Sequence, residues 1–273
     1  MKILMVNKFL YPNGGSETYM FKLGAYLKSI GHEVEYFGME HEGRIVSNSL
    51  DLYTEAMDFH NSSALKKLKL SLKTVYSREA RTKMKKLLDK FEPEVVHLNN
   101  FNFQLTPSII YAVKDYDKNH NKKIKLIYTA HDFQLVCPNH MMMDIHTNTP
   151  CEKCIGGNFK NCTANKCIHN STLKSLLGTL EAEIYNKNGI YSRIDNIICC
   201  SEFMKNMLDT NPVFKNKTVT LHNFIDKIEP KKSEKENYVL YFGRFAQEKG
   251  IETLIGAKNK DLFVPAQVRL RIR

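Results

Sequence analysis

The first 37 residues, MKILMVNKFLYPNGGSETYMFKLGAYLKSIGHEVEYF, contain the pattern that decides the fold. The apolar run from Ile3 to Val6 predicts a strand, Ser16 to Ser29 has a helical period, and Val34 to Phe37 predicts a second strand. A strand, a helix and a strand in this order form the unit from which parallel sheets are built.

The same alternation continues along the chain. Further strands are predicted at Val95 to Leu98, Ile124 to Tyr128, Ile197 to Cys200, Val219 to Leu221 and Tyr238 to Phe242, and further helices at Thr106 to Val113, Leu173 to Asn186 and Glu202 to Asp209. Because these strands are apolar throughout, both faces of the sheet are expected to be covered. We therefore predict an α/β fold with a Rossmann-like, doubly wound parallel sheet.

The alternation stops near Asp226. Residues 227–237 (KIEPKKSEKEN) are charged and contain a proline, which predicts a linker. We expect residues 1–226 to form one lobe and residues 238–273 an incomplete second lobe. The second part offers two strands and one helix, which bury too little surface to make a core alone.

Composition excludes several classes of protein. The 273 residues are 42% hydrophobic, which argues against a disordered or fibrous chain. No stretch approaches the ~20 apolar residues of a membrane-spanning helix. The amino terminus has too few apolar residues before Lys8 for a signal peptide. We therefore expect a cytoplasmic protein. The net charge of +11 predicts an anionic partner: nucleic acid, a phosphate-bearing substrate or a lipid surface.

Most of the excess charge falls in residues 61–90, which contain ten basic and two acidic residues. Apolar residues recur there at helical spacing, from Leu65 to Val75 and from Ala80 to Phe91. This pattern predicts either helices packed on the sheet with a solvated basic face, or a peripheral helix attracted to anionic lipid at the inner face of the cell membrane. The sparse aromatic residues argue against nucleic acid.

Five of the seven cysteines lie between residues 137 and 167. Cys151 and Cys154, followed by Cys162 and Cys167, form two close pairs that could place four thiolates around a structural Zn²⁺, and Cys137 is a fifth candidate. Free thiols, or two disulfides in an exported chain, are the alternatives. A catalytic zinc normally keeps an open position, so the four-cysteine pattern favours a structural ion.

A glycine pair follows the first strand. Gly14 and Gly15 open a helix that Ser16 could cap, and free amides at a helix start favour an anion. The chain contains neither the G-x-G-x-x-G dinucleotide fingerprint nor a Walker loop.

Polar residues also follow later strands. His131 and Asp132 come directly after the fourth predicted strand, at the edge of the sheet where open α/β proteins bind ligands. The same edge is expected to carry Ser201, Glu202, Asn223 and Asp226. Beyond the linker, Arg244 and Lys249 lie between two glycines in a strand-to-helix connection, which suits a diphosphate.

Six motifs together resemble one family. They are GGSE (Gly14 to Glu17), VVHLNN (Val95 to Asn100), TAHD (Thr129 to Asp132), IICCSEFMK (Ile197 to Lys205), LHNFID (Leu221 to Asp226) and YFGRFAQEKGIETLI (Tyr241 to Ile255). In this order they resemble the family 4 (group 1) retaining glycosyltransferases, whose GT-B architecture has two Rossmann-like lobes. The last motif is the most specific.

The resemblance implies an amino-terminal lobe that binds the acceptor, a carboxyl-terminal lobe that binds a UDP- or GDP-sugar, and catalysis between them without a catalytic metal. His131 would contact the transferred sugar as the catalytic residue, Gly14 and Gly15 would approach the donor phosphates or the acceptor, and Arg244 and Lys249 would hold the diphosphate. Further substrate contacts are implied for Glu17, Asp132, Ser201, Glu202 and Asn223. The acceptor would be a glycan or a lipid-linked glycan, and the cysteine-bearing residues 137–169 resemble an insertion found in some members.

Two departures from the family pattern qualify the resemblance. Phe224 stands where glycine is commoner, and the acidic pair that orders the donor sugar is missing, since the chain stops 24 residues after Lys249. We therefore expect a truncated or frame-shifted chain, or half of a split enzyme, with little or no transferase activity alone. The alternative is a non-catalytic binding module that uses the cysteine loop and the basic helices to hold an anionic surface or a partner.

Overall fold

The computed structural model describes residues 1–56, 73–225, 227, 229, 238–242, 249–259 and 267–271. Within these ranges the chain divides into two compact units, Met1–Phe224 and Ile225–Arg273. No helix in the described ranges is both long and apolar enough to cross a membrane. The predicted site residue Arg244, Asp226, and residues 61–72 of the basic stretch lie outside the described residues.

The first unit is built on a parallel sheet. In chain order its strands and the small hairpin are β1 (Lys2–Val6), β2 (Glu33–Phe37), β3 (Val95–Leu98), β4 (Lys125–Ala130), β5 (Met143–Asp144), β6 (Thr149–Pro150), β7 (Asn196–Cys199) and β8 (Thr218–Thr220). Six of them form one sheet in the order β2-β1-β3-β4-β7-β8, with every neighbouring pair parallel, while β5 and β6 pair antiparallel. The strands predicted from the apolar runs are confirmed to within two residues at each end.

Helices cover the sheet and connect its strands. They are α1 (Gly15–Ser29), α2 (Arg78–Phe91), α3 (Ser108–His120), α4 (Lys160–Ala164), α5 (Thr172–Lys187) and α6 (Glu202–Asp209), with 3₁₀ turns at Ile155–Gly157 and Ile190–Arg193. Ser77, Ser171 and Ser201 cap α2, α5 and α6, each accepting a hydrogen bond from the backbone N–H three residues on. The predicted cap of α1 is wrong, because the N-cap is Gly14 and no side chain caps that end.

Both faces of the sheet are buried, as the apolar strands predict. Along β1, Leu4 and Val6 belong to the larger core cluster, whereas Ile3 and Met5 belong to a second cluster. Since successive strand residues point to opposite faces, the two clusters lie on the two sides of the sheet. The doubly wound α/β prediction is thereby confirmed.

Helix α1 packs closely on the second strand. A Cβ atom built on Gly24, in the middle of α1, would lie 2.0 Å from the hydroxyl oxygen of Tyr36 on β2. Tyr36 is buried and belongs to the same cluster as Met20 of α1. The glycine therefore sets how near the helix comes to the sheet.

Helix α2 contains most of the described part of the basic stretch. Ala80, Met84, Leu87, Leu88 and Phe91 are buried in the larger cluster, which confirms for this helix the prediction of packing on the core. Several of its charges have local partners, since Arg81 pairs with Asp115 at 2.6 Å and Lys83 with Glu79 at 2.8 Å.

The second unit contains β9 (Tyr238–Phe242), α7 (Ile251–Asn259) and β10 (Gln267–Arg271) within its described residues. β9 and β10 pair in parallel, with Tyr238 opposite Gln267 and Phe242 opposite Arg271. The two strands and one helix predicted for this part of the chain are present.

Candidate functional site at the carboxyl edge of the sheet

The order of the strands creates a crevice beside β1. The chain leaves β1 to form β2 on one side and later returns to form β3 on the other, so the connections after β1 and β3 diverge. In open α/β sheets this switch point is where ligands bind, outside the carboxyl ends of the strands. Asn7 follows β1 directly, and Asn99 and Asn100 follow β3.

These asparagines join the two strand ends. The Asn7 Oδ1 atom accepts a hydrogen bond from the backbone N–H of Asn100 at 2.9 Å, and Asn7 Nδ2 donates to the carboxylate of Glu17 at 2.8 Å. Asn7 is completely buried and Glu17 is 2% exposed. The loop after β1 is thus fastened both to β3 and to the first turn of α1.

The glycine pair lies exposed at the start of α1. A Cβ on Gly14 would lie 3.3 Å from Glu17 Oε2, whereas a Cβ on Gly15 would meet nothing within 4 Å. The Ser16 hydroxyl donates to Glu17 and accepts from Asn100 Nδ2 at 2.8 Å. Ser16 therefore serves the junction of loop and strand, which replaces the capping role predicted for it.

His131 lies just beyond β4 and contacts this junction. Its Nε2 atom is 2.9 Å from Asn99 Oδ1, and its ring meets the Tyr19 ring edge-on with centroids 5.2 Å apart. Because the Asn99 oxygen can only accept, Nε2 carries the proton and donates. Burial lowers the pKa of His131 to about 4, against smaller opposing effects of Asp132 and Glu17, so a neutral ring with a free Nδ1 lone pair is present at neutral pH.

A second buried histidine supports the first. His97 on β3 forms a 2.7 Å hydrogen bond with the Thr129 hydroxyl on β4, and the Tyr19 hydroxyl is 3.4 Å from the same oxygen. Burial, together with the nearby His131, lowers the pKa of His97 to about 4. The central site, defined as Asn7, Glu17, Asn99, Asn100 and His131, thus rests on a layer of uncharged hydrogen-bonding groups.

Asp132 is held by the loop that follows it. Its Oδ2 atom is 3.5 Å from His140 Nδ1, and Oδ1 accepts from the backbone N–H of Gln134 at 3.0 Å. Burial raises the pKa of Asp132, but its contacts with His140 and Gln134 and the charge of Lys8 outweigh it and leave the pKa below its ordinary value. Asp132 is therefore an ionised carboxylate at neutral pH.

Around this edge several amide atoms have no hydrogen-bond partner among the described residues. They are Asn100 Oδ1, Asn102 Oδ1, Gln104 Oε1 and both Gln134 terminal atoms. Asn102 and Gln134 are 5% and 6% exposed. Buried amides without a partner are costly, so a group with both donors and acceptors is expected to satisfy them.

The other predicted residues lie apart from this network. The Ser201 hydroxyl accepts from the Met204 N–H at the start of α6, and Glu202 and Asn223 are exposed beyond β7 and β8. Lys249 is exposed and belongs to the second unit. Phe224, which follows Asn223 beyond β8, packs its ring 5.4 Å from that of Tyr19.

The five clustered cysteines are brought together. Cys137, Cys151, Cys154, Cys162 and Cys167 all line one small cavity, and no disulfide is present among them. Within the described ranges, however, no group of three or more His, Cys, Asp or Glu side chains is positioned to hold a metal ion. Burial, reinforced by neighbouring thiols, raises the pKa values of Cys154 and Cys162 to about 12.

A larger cavity, of about 620 Å³, lies elsewhere. Its lining includes Asn158, Asn161, Glu183, Asn186 and Asn211, and none of the predicted site residues.

Comparison with known proteins decides the family. The family model described as Glycosyltransferase Family 4 matches residues 13–228, which is more than half of the chain. The chain belongs to glycosyltransferase family 4. Apart from Asn7, every residue of the central site lies within the matched range.

Individual relatives of this family 4 glycosyltransferase are distant. An uncharacterized glycosyltransferase of Methanocaldococcus jannaschii is 30% identical over 107 residues, covering 38% of this chain and 30% of the relative. The structure of sucrose-phosphate synthase from Thermosynechococcus elongatus superposes with a TM-score of 0.54 at 16% identity, covering 98% of this chain and 61% of the synthase. This likeness shows a shared fold, and the chain spans less than two thirds of either protein.

Sequence reasoning missed part of the buried network around the central site. Asn7, His97, Asn99 and Thr129 form much of the buried network. Three of them lie in the quoted motifs VVHLNN and TAHD, but no role was predicted for any of the four. One signal was present, because a histidine inside the apolar run Val95 to Leu98 has to find a buried partner. The partners themselves follow only from the order of the strands.

Proposed function

We propose that this family 4 chain takes part in retaining transfer of a sugar from a UDP- or GDP-sugar to a hydroxyl group of a glycan or lipid-linked acceptor. The observation that carries the proposal is His131, which burial keeps neutral and which donates a hydrogen bond to Asn99 at the switch point of the sheet. In this proposal the unit Met1–Phe224 supplies the acceptor side, and Arg244 and Lys249 of the second unit hold the donor diphosphate.

A neutral His131 suits this role. With Nε2 donating to Asn99, the Nδ1 lone pair can accept a hydrogen bond from a sugar hydroxyl without adding positive charge. Retaining transfer builds positive charge on the sugar ring and negative charge on the departing diphosphate. A cationic histidine beside the ring would oppose the first change, whereas cations at the diphosphate favour the second.

The unpartnered amides support a polyhydroxylated acceptor. Sugar hydroxyl groups both donate and accept, and the oxygens of Asn100, Asn102 and Gln104 and both terminal atoms of Gln134 offer each kind of partner. The ionised Asp132 can accept a further hydroxyl hydrogen bond.

Thermal unfolding of the purified chain tests donor and acceptor binding separately. A ligand that binds only the folded state, present at a concentration of 100 times its Kd, raises the free energy of unfolding by about 2.7 kcal/mol. This raises Tm by several degrees. We expect one of the UDP- and GDP-sugars to raise Tm in the wild type and less in Lys249→Ala. Oligosaccharides are expected to raise it less in Gln134→Ala. A protein whose Tm responds to no nucleotide sugar and no oligosaccharide would contradict the proposal.

We also propose that the enzyme works at the cytoplasmic face of a membrane through residues 61–90. On α2 the exposed Arg78, Lys86 and Lys90 can attract anionic lipid, but the apolar face of this helix is buried in the core, so attraction there is electrostatic rather than insertive. Binding to anionic vesicles that disappears at high salt is expected, with no binding to neutral vesicles. Equal binding to both kinds would contradict this.

A further inference from the structure

The five clustered cysteines converge on a cavity of about 10 Å³. A space of this size holds about one water molecule, so it excludes a sugar or a nucleotide and admits a single small ligand. The remaining wall is mostly apolar, including Val136, Met142 and Ile155. A buried pocket lined by thiols and apolar groups suits a soft metal ion enclosed by protein.

Hydrogen bonding separates one cysteine from the other four. The Cys137 thiol donates to Asn139 Oδ1 at 2.9 Å, and its side chain belongs to the larger core cluster. Cys154, Cys162 and Cys167 instead share a separate small cluster with Phe159. Cys137 thus has a hydrogen-bond acceptor and core contacts of its own, although it lines the same cavity as the other four thiols.

The backbone holds the four remaining cysteines as two linked pairs. Cys162 and Cys167 are joined by a 3.0 Å hydrogen bond from the Cys167 N–H to the Cys162 carbonyl. The turn that carries Cys151 and Cys154 is tied to α4, because Asn161 Nδ2 donates to the Lys153 carbonyl. Two pairs on linked turns are the usual arrangement of a closed four-cysteine zinc site.

We propose that Cys151, Cys154, Cys162 and Cys167 bind one structural Zn²⁺, with Cys137 outside the ligand set. Binding requires the four sulfurs to come within about 2.3 Å of a common centre, starting from side chains that already line one small cavity. Binding as four thiolates releases four protons and leaves the site with two negative charges, which the exposed Lys153, Lys160 and Lys166 nearby in the chain can offset.

The ion would fasten the loop that supports Asp132. In residues 137–169, here called the cysteine loop, His140 stacks on Phe103 with centroids 5.0 Å apart and contacts Asp132. Its backbone N–H donates to the Cys137 carbonyl. Beyond the cysteines the loop joins α5 through a hydrogen bond between Thr163 and Thr179 at 2.8 Å. A bound ion would hold the middle of this loop between those two anchors.

Metal content tests the proposal on the whole chain, purified with a reductant and without a chelator. We expect one zinc per chain in the wild type and in Cys137→Ser. Cys199→Ala is the matched control, because Cys199 is a buried cysteine on β7 remote from the cavity lining. Replacing zinc with Co²⁺ should give thiolate charge-transfer bands and the visible spectrum of a tetrahedral site.

Cys151→Ser is the main test variant, since Cys151 is only half-buried, whereas Cys154 and Cys162 are buried. Loss of groups that merely support a ligand costs 10–100-fold in affinity, so loss of a ligand should lower zinc affinity by more than about 100-fold. A Cys154→Ser variant should behave likewise if it folds. Absence of tight zinc in the wild type, a mass showing disulfides in the reduced-purified chain, or equal losses in Cys137→Ser and Cys151→Ser would overturn the proposal.

Discussion

The carboxyl edge of the sheet has a centre and a flank that use polar side chains differently. At the centre, beyond β1, β3 and β4, Asn7, Asn99 and His131 are buried or partly buried and bonded to one another's segments. At the flank, beyond β7 and β8, Ser201 caps a helix and Asn223 is exposed. Polar residues that follow the central strands therefore bond to residues that follow neighbouring strands. At the flank, Ser201 instead caps the helix that it precedes.

The largest expected difference between centre and flank is in acid stability. His97 and His131 have folded pKa values of about 4, below the ordinary 6.5, so the unfolded chain takes up protons first as pH falls. The stability that these two neutral rings contribute to the folded state is fully present above pH 6.5 and is lost as pH falls towards 4. Between pH 7 and pH 5 the two together should lower the free energy of unfolding by about 3 to 4 kcal/mol, measured by urea denaturation.

The double variant His97→Gln/His131→Gln should lose much less stability over that pH interval. His222→Gln is the flank control, because His222 is exposed, and it should keep the wild-type pH dependence. An unchanged pH dependence in the double variant would show that other groups cause the acid sensitivity.

Matched asparagines give the next largest contrast. Asn99→Ala leaves the Nε2–H of His131 without its acceptor in a buried position, which should cost about 1–3 kcal/mol. Asn223→Ala removes an exposed side chain and should change stability by less than about 0.5 kcal/mol. Equal costs in urea denaturation would remove the distinction between centre and flank.

At the flank itself, the cap predicts a smaller effect. Ser201→Ala should cost about 1 kcal/mol, because the Met204 N–H loses its acceptor, and Ser201→Asn should restore most of it. Circular dichroism during thermal unfolding measures both. If the alanine variant is as stable as the wild type, the Ser201 hydroxyl is free for a substrate contact.

The smallest effect is expected where the flank reaches the centre. Phe224→Ala removes the ring that packs on Tyr19, at a cost of about 0.5 kcal/mol because Phe224 is 41% exposed. Ile225→Ala, at a neighbouring side chain that is 80% exposed, should change the urea midpoint less. A larger loss in Ile225→Ala than in Phe224→Ala would show that the contact between Phe224 and Tyr19 does not stabilise the fold.

The fold was largely predictable because its signals are local. Apolar runs such as Val95 to Leu98 marked the strands, and buried helix faces such as that of α2 followed from spacing along a single segment. His131 and Asp132 were found for the same reason, since each directly follows one strand.

The rest of the site depends on which strands become neighbours. Asn7 and Asn100 bond across a separation of 93 residues, and sequence order alone does not place β3 beside β1. The capping role of Ser16 was mispredicted because a serine near a helix start resembles a cap. Its hydroxyl instead contacts Glu17 and Asn100, the second of which comes from a distant strand.

The close packing of Gly24 on Tyr36 links the middle of α1 to the position of its amino-terminal end. The glycine pair and Glu17 lie at one end of this helix, while its distance from the sheet is set near the middle. A methyl group at position 24 would force either the buried Tyr36 side chain or the helix to shift, and a shift of the helix would move the loop at the crevice. We therefore expect Gly24→Ala to disturb the central site, although position 24 itself lies outside it.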